Sequence, residues 1–97
     1  MNYKPRPGIV QTKICGQHVL IPSRTAYADC REILCLPMLW AATFSLLRGE
    51  DPEEKILKAH KLLTKRSDEE IRTSVEKFCE NLAGKGFLIR VEDEEKQ

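Results

Sequence analysis

Ile9-Val10-Gln11-Thr12-Lys13-Ile14-Cys15-Gly16-Gln17-His18-Val19-Leu20-Ile21-Pro22 decides the fold. Residues 9–14 are β-branched and partly alternating. Cys15-Gly16-Gln17 supplies a turn-type glycine. Residues 18–21 are again β-rich, and Pro22 stops them. Two such runs about a glycine turn predict a β-hairpin. Downstream the period changes from two to that of helices, so a small sheet comes first and helices follow.

Residues 22–29 read as a loop. Residues 30–36 read either as a third strand or as the start of a helix that Pro37 interrupts. Proline disfavours helical geometry in the residue before it, which favours the strand. Residues 37–48 form the most apolar segment. Leu39, Trp40, Thr43, Phe44, Leu46 and Leu47 leave almost no polar face, as in a buried helix. Pro37 suits its first turn and Gly49 its end. Asp51-Pro52-Glu53-Glu54 opens a second helix, with Asp51 as its cap. Ile56, Ala59, His60 and Leu63 recur at helical spacing, and Lys65-Arg66 close it against the dipole. Ser67 and Glu70 form the S-x-x-E pattern that starts a third. Ile71, Val75, Phe78, Cys79 and Leu82 make its apolar stripe, ended by Gly84 and Gly86. Residues 87–91 suit a short final strand.

Upstream, residues 1–8 contain two prolines and a glycine and read as a flexible arm. Residues 92–97 read as a charged tail. The expectation is an α+β, winged-helix-like domain over residues 9–91: a small antiparallel sheet of two or three N-terminal strands packed on three helices.

The chain has 97 residues, 41% of them hydrophobic and 32% charged. That is ordinary globular composition and excludes collagen-like or wholly disordered chains. Residues 33–47, the longest apolar candidate, fall short of the ~18 residues that cross a bilayer and contain Pro37. No membrane association is expected. The opening residues lack the apolar core and cleavage site of a secretory signal, so a cytoplasmic location is expected. Net charge is +1, but residues 67–97 hold nine acidic groups against five basic.

Four cysteines, Cys15, Cys30, Cys35 and Cys79, show no C-x-x-C spacing, and His18 and His60 are not close to them in sequence. Free thiols are expected rather than disulfides or a metal site. Nucleophile elbows, phosphate loops and dinucleotide fingerprints are absent from the sequence. The Glu53/Glu54 and Glu69/Glu70 pairs sit in helix first turns, where the dipole explains them. No catalytic activity and no cofactor are expected.

Three helices with a small sheet also describe a DNA-binding winged helix, and a DNA-binding or transcriptional accessory domain is the alternative reading. Its recognition helix would be the third. That helix begins Asp68-Glu69-Glu70, which would place like charge against phosphate. Nucleic acid is therefore disfavoured. Lys55, Lys58, Lys61 and Lys65 lie near one stripe of the second helix and read as a solvated face, or as contacts to phosphates or an acidic partner. A structural subunit of a larger assembly is a third reading.

A sheet edge beside an amphipathic helix can accept an extended peptide as an added strand. Residues 31–36 form the candidate edge, and Pro37 limits unwanted pairing along it. On the third helix, Val75 and Cys79 lie beside the core positions, flanked by Arg72 and Glu76.

The run from Leu36 to Gly49, Leu-Pro-Met-Leu-Trp-Ala-Ala-Thr-Phe-Ser-Leu-Leu-Arg-Gly, resembles the core of the PqqD-like family, the winged-helix peptide chaperones also called RiPP recognition elements. Leu36, Phe44 and Gly49 stand at matching places. Pro37 and Arg48 stand where the family has asparagine and aspartate. Residues 51–56 resemble the family's acidic start to its second helix. Asn81-Leu82-Ala83-Gly84-Lys85-Gly86-Phe87-Leu88 resembles its terminal signature, and the opening hairpin also matches. The likeness covers roughly residues 9–91.

The resemblance implies a non-enzymatic protein. It would bind the leader of a ribosomally made precursor peptide and present it to a modifying enzyme, often a radical S-adenosylmethionine enzyme. It also implies strand addition on the third strand beside the third helix. The expected peptide-binding residues are thus Arg31, Glu32, Ile33, Leu34, Cys35 and Leu36 with Arg72, Val75, Glu76 and Cys79. Free edges leave a homodimer open.

Overall fold

The structure, a computed structural model, describes residues 2–23, Cys30 and residues 32–91. In chain order it holds β1 (Tyr3–Pro5), β2 (Ile9–Ile14), β3 (Gln17–Pro22), β4 (Leu34–Leu36), α1 (Met38–Leu46), α2 (Pro52–Leu63), α3 (Asp68–Gly84) and β5 (Leu88–Arg90). The expected α+β order is observed. An antiparallel sheet runs β2-β3-β4, and β1 pairs separately with β5. Most of the loop at residues 22–29, and the tail at residues 92–97, lie outside the described residues.

The hairpin turns through Cys15 and Gly16, both at positive φ (51° and 79°). This is the signature of a type I′ turn, whose twist matches that of the flanking strands. Ile14 and Gln17 close it, and the register continues to Ile9 opposite Pro22.

Residues 1–8 are corrected by the structure. Tyr3–Pro5 is a strand rather than part of a loose arm, and Tyr3 is buried. Arg6 N–H bonds to the Phe87 carbonyl and Val91 N–H to that of Asn2. In an antiparallel ladder bonded positions alternate, so Pro5 falls where no N–H is needed. The Arg6 carbonyl then accepts from Ile9 N–H at 3.2 Å across Pro7 and Gly8, the latter at φ 91°. Proline followed by a positive-φ glycine makes a type II turn, so both prolines are compatible with order here.

The helices start and stop for different reasons. Pro37 precedes α1, and its carbonyl accepts from Ala41 N–H at 2.9 Å. α3 opens on a complete capping box between Ser67 and Glu70. It ends with Gly86 N–H on the Ala83 carbonyl and Phe87 N–H on that of Leu82, with Gly86 at φ 91°. That pair of bonds is the Schellman motif, and Leu82 and Phe87 are both buried in the core cluster.

α2 departs from expectation at both ends. Asp51 precedes it in the left-handed region (φ 50°, ψ 54°) and makes no side-chain cap bond. The helix stops at Leu63 rather than at Lys65-Arg66, because Thr64 turns extended and its hydroxyl donates to the His60 carbonyl at 2.6 Å. Leu63, expected on the apolar stripe, is 61% exposed at this end.

The core lies between the inner face of the β2-β3-β4 sheet and the three helices. Ile9, Leu20, Phe44, Ile56, Ile71, Val75, Leu82, Phe87 and Leu88 belong to one buried cluster. Each large side chain so buried contributes about 1.5–3 kcal/mol relative to exposure. Among the described residues no helix is long and apolar enough to cross a membrane.

Candidate peptide-binding edge

β4 is three residues long and pairs on one side only, with β3: His18 opposite Leu36, Val19 opposite Cys35, and Leu20 opposite Leu34. Which backbone groups face outward follows from the hairpin. In a two-residue hairpin the closing pair, Ile14 and Gln17, is hydrogen-bonded, and bonded pairs then alternate. Ile9 opposite Pro22 falls at an unbonded position, where Pro22 has no N–H to offer. Val19 therefore points its N–H and C=O at β2, while His18 and Leu20 point theirs at β4. Leu36 and Leu34 answer them. Cys35, and Ile33 by continuation, turn their N–H and C=O to the open side. Among the described residues no backbone group meets them there.

The side chains alternate likewise. Leu34 and Leu36 face inward and pack, half-buried, against the core. Cys35 is exposed on the outer face, and Ile33 is 66% exposed. Glu32 lies 3.8 Å from the Lys85 ammonium, which ties the approach to this edge to the C-terminal end of α3.

The sequence expectation on α3 needs correction. Val75 and Cys79 are 0% and 1% exposed and are core members, so they offer no surface to a peptide. The stripe is one side chain wide at those positions, and the core takes all of it. Burial, reinforced by Glu76, pushes the Cys79 thiol up to about 12. Arg72 and Glu76 are exposed on α3, but Arg72 reaches α2, with its Nε 3.1 Å from Glu53. Arg31 lies outside the described residues. The structure thus brings Glu32, Ile33, Leu34, Cys35 and Leu36 together on one edge and removes Val75 and Cys79 from it.

One feature of the edge escaped the sequence reading. Lys13, Gln17, His18, Cys35, Leu36 and Met38 bound a hollow of about 500 Å³ where β4 runs into α1. Met38 is 66% exposed there. Its signal was Pro37, which fixes the turn from strand to helix and throws the next side chain outward.

The Lys55, Lys58, Lys61 and Lys65 stripe is exposed. Lys61 pairs with Asp68, holding that carboxyl below the usual carboxylate range. Thr43 and His60 form a hydroxyl–imidazole contact at 2.8 Å, but both are buried, at 1% and 3% exposed. Among the described residues no group of three or more His, Cys, Asp or Glu side chains gathers as for a metal ion.

Compared with protein-family models, curated proteins and solved structures, the chain matches none.

Proposed function

We propose that the chain is a peptide-binding chaperone that takes an extended precursor leader as an added strand on β4 and presents it to a modifying enzyme. The supporting observation is the outward pair of N–H and C=O groups at Ile33 and Cys35, unmet among the described residues, above the half-buried Leu34 and Leu36. A peptide strand beside β4 satisfies those groups. Its side chains at alternate positions then fall inward against Leu34 and Leu36, and the one between them falls outward beside Cys35. The inward residues are apolar, because charge there would be desolvated without a partner.

The order of elements and the motifs from Leu36 to Gly49 support placing this role with the PqqD-like chaperones. On that reading the enzyme partner is of the radical S-adenosylmethionine class. The site moves towards β4 and the hollow at Met38, away from the buried flank of α3.

The test uses a synthetic peptide matching the N-terminal half of a short peptide encoded beside this gene, titrated into ¹⁵N-labelled protein. The Ile33 and Cys35 amides shift most and gain protection from exchange, and binding weakens little as salt rises. Shifts confined to the lysines of α2 with steep salt dependence, or no binding, overturn the reading. Steep salt dependence with duplex DNA as ligand would return the nucleic-acid alternative.

A further inference from the structure

The β4 edge differs in charge at its two ends. Where it begins, Glu32 and Lys85 face each other, so charge is balanced within the fold. Where it ends lies the hollow of about 500 Å³, and there charge is not balanced. Ile9, Gln11 and Lys13 share the inner face of β2, and Gln11 Nε2 donates to the Ala41 carbonyl of α1 at 2.8 Å. Lys13, two residues on, is exposed at the hollow. It stands opposite His18, which stands opposite Leu36, so the three form one row across the sheet. Among the described residues no carboxylate lines the hollow, and neither the Lys13 ammonium nor the His18 ring has a hydrogen-bond or ion-pair partner. Met38, on the wall, opens α1, whose first turn holds no acidic residue to offset the dipole.

We infer that the hollow takes a carboxylate side chain of the bound peptide, and that this Asp or Glu fixes the register of the leader on β4. The site rests on strand addition at β4 and deepens it by naming the class of leader. Along a strand beside β4, inward positions recur every second residue, about 6.8 Å apart. Two of them meet Leu34 and Leu36. The next in the same direction passes Pro37, where β4 has ended, and comes over the hollow towards Lys13 and His18. The leader therefore carries apolar residues at two alternate positions and an acidic residue at the third. An exposed ion pair adds little affinity by itself. Its effect is on register: a slip of two residues would carry the carboxylate onto half-buried Leu36, where it is desolvated without a partner.

The test uses the same synthetic leader, with each Asp or Glu changed singly to its amide or to lysine, titrated into the ¹⁵N-labelled whole chain. One carboxylate, two residues beyond an apolar one, is expected to matter: its amide form binds about threefold to fivefold more weakly. Lys13→Glu, at an exposed position, weakens the parent leader at least tenfold, and the leader with lysine at that one position recovers to within about threefold. Lys58→Glu changes neither. Full-strength binding by folded Lys13→Glu overturns the inference, as does a loss that no reversed leader rescues or a leader without any Asp or Glu that binds as tightly. In each of those outcomes shifts of the Ile33 and Cys35 amides still uphold strand addition. If no leader moves those two amides, strand addition falls and the carboxylate site falls with it.

Discussion

The Thr43 hydroxyl lies 2.8 Å from His60 Nε2, and its single proton is committed elsewhere, to the Leu39 carbonyl at 2.8 Å. Thr43 must therefore accept from His60, which fixes the neutral imidazole with its proton on Nε2. Trp40 meets the same ring edge-on at 5.1 Å and stacks on Phe78 at 4.7 Å. One polar bond and two ring contacts thus join α1, α2 and α3 at a point where both polar residues are buried.

Burial, with a smaller contribution from Arg66, pulls His60 below the ordinary histidine value of 6.5. The unfolded chain then binds a proton that the folded chain refuses. Stability from this source is complete above pH 6.5 and is lost as pH falls from there through the lowered folded value. Urea midpoints measured between pH 7.5 and pH 5 fall accordingly, and His60→Gln removes the slope. Asp68, whose carboxyl is held low chiefly by Lys61, acts only below its ordinary 3.8, outside that window. Thr43→Val strands the imidazole N–H and costs about 1–3 kcal/mol, whereas Thr43→Ser keeps most of the stability.

The two helix starts that look alike in the sequence behave differently. Ser67 makes a capping box with Glu70, so Ser67→Ala lowers unfolding free energy by about 1 kcal/mol. Asp51 makes no cap bond and sits in the left-handed region, which asparagine tolerates as well. Asp51→Asn therefore changes stability by less than about 0.5 kcal/mol, its only loss being a carboxylate near the helix start. Equal losses in the two variants would contradict this assignment.

What the sequence disclosed was whatever repeats at short range. The hairpin, the three helices and the capping box follow from alternation, periodicity and spacing within a few residues. The β1–β5 ribbon does not. Tyr3 pairs with Arg90 from the far end of the chain, and Arg90 donates to the Tyr3 hydroxyl at 3.3 Å with its guanidinium over the ring. No local pattern announces such a pair, and the prolines around it suggested disorder. Val75 and Cys79 failed for a related reason: a helical stripe shows which face is apolar, but its width available to a ligand depends on what packs across it. The candidate edge was legible only in outline. Pro37 marked where it stops, while the outward aim of Ile33 and Cys35 needed the register of two preceding strands.

The cysteines divide by burial. Cys15 and Cys35 are exposed, and Cys30 and Cys79 are buried. With Cys79 held up to about 12, its reactive thiolate is scarce at any ordinary pH. A disulfide reagent at pH 8 modifies two thiols rapidly in the native protein and four in denaturant. Rapid loss of three or four native thiols would mean that the core opens far more readily than its packing suggests.

The edge itself can be separated from the core by two substitutions. Val75→Ala leaves a cavity and costs about 2 kcal/mol of stability, but it touches no surface and leaves peptide affinity within about twofold in folded protein. Val75→Asp buries a charge and unfolds the domain, so it says nothing about binding. Cys35→Pro does the reverse. The Cys35 N–H points away from β3, and proline is tolerated on an edge strand at such a position. The fold survives, as circular dichroism and the unchanged His18 and Leu20 amides report, while one donor of the added strand is gone and the ring crowds the incoming backbone. Leader affinity falls at least tenfold. Cys35→Ser, which keeps the N–H, binds like the parent. If Cys35→Pro folds and still binds at full strength, the peptide does not enter as a strand on β4.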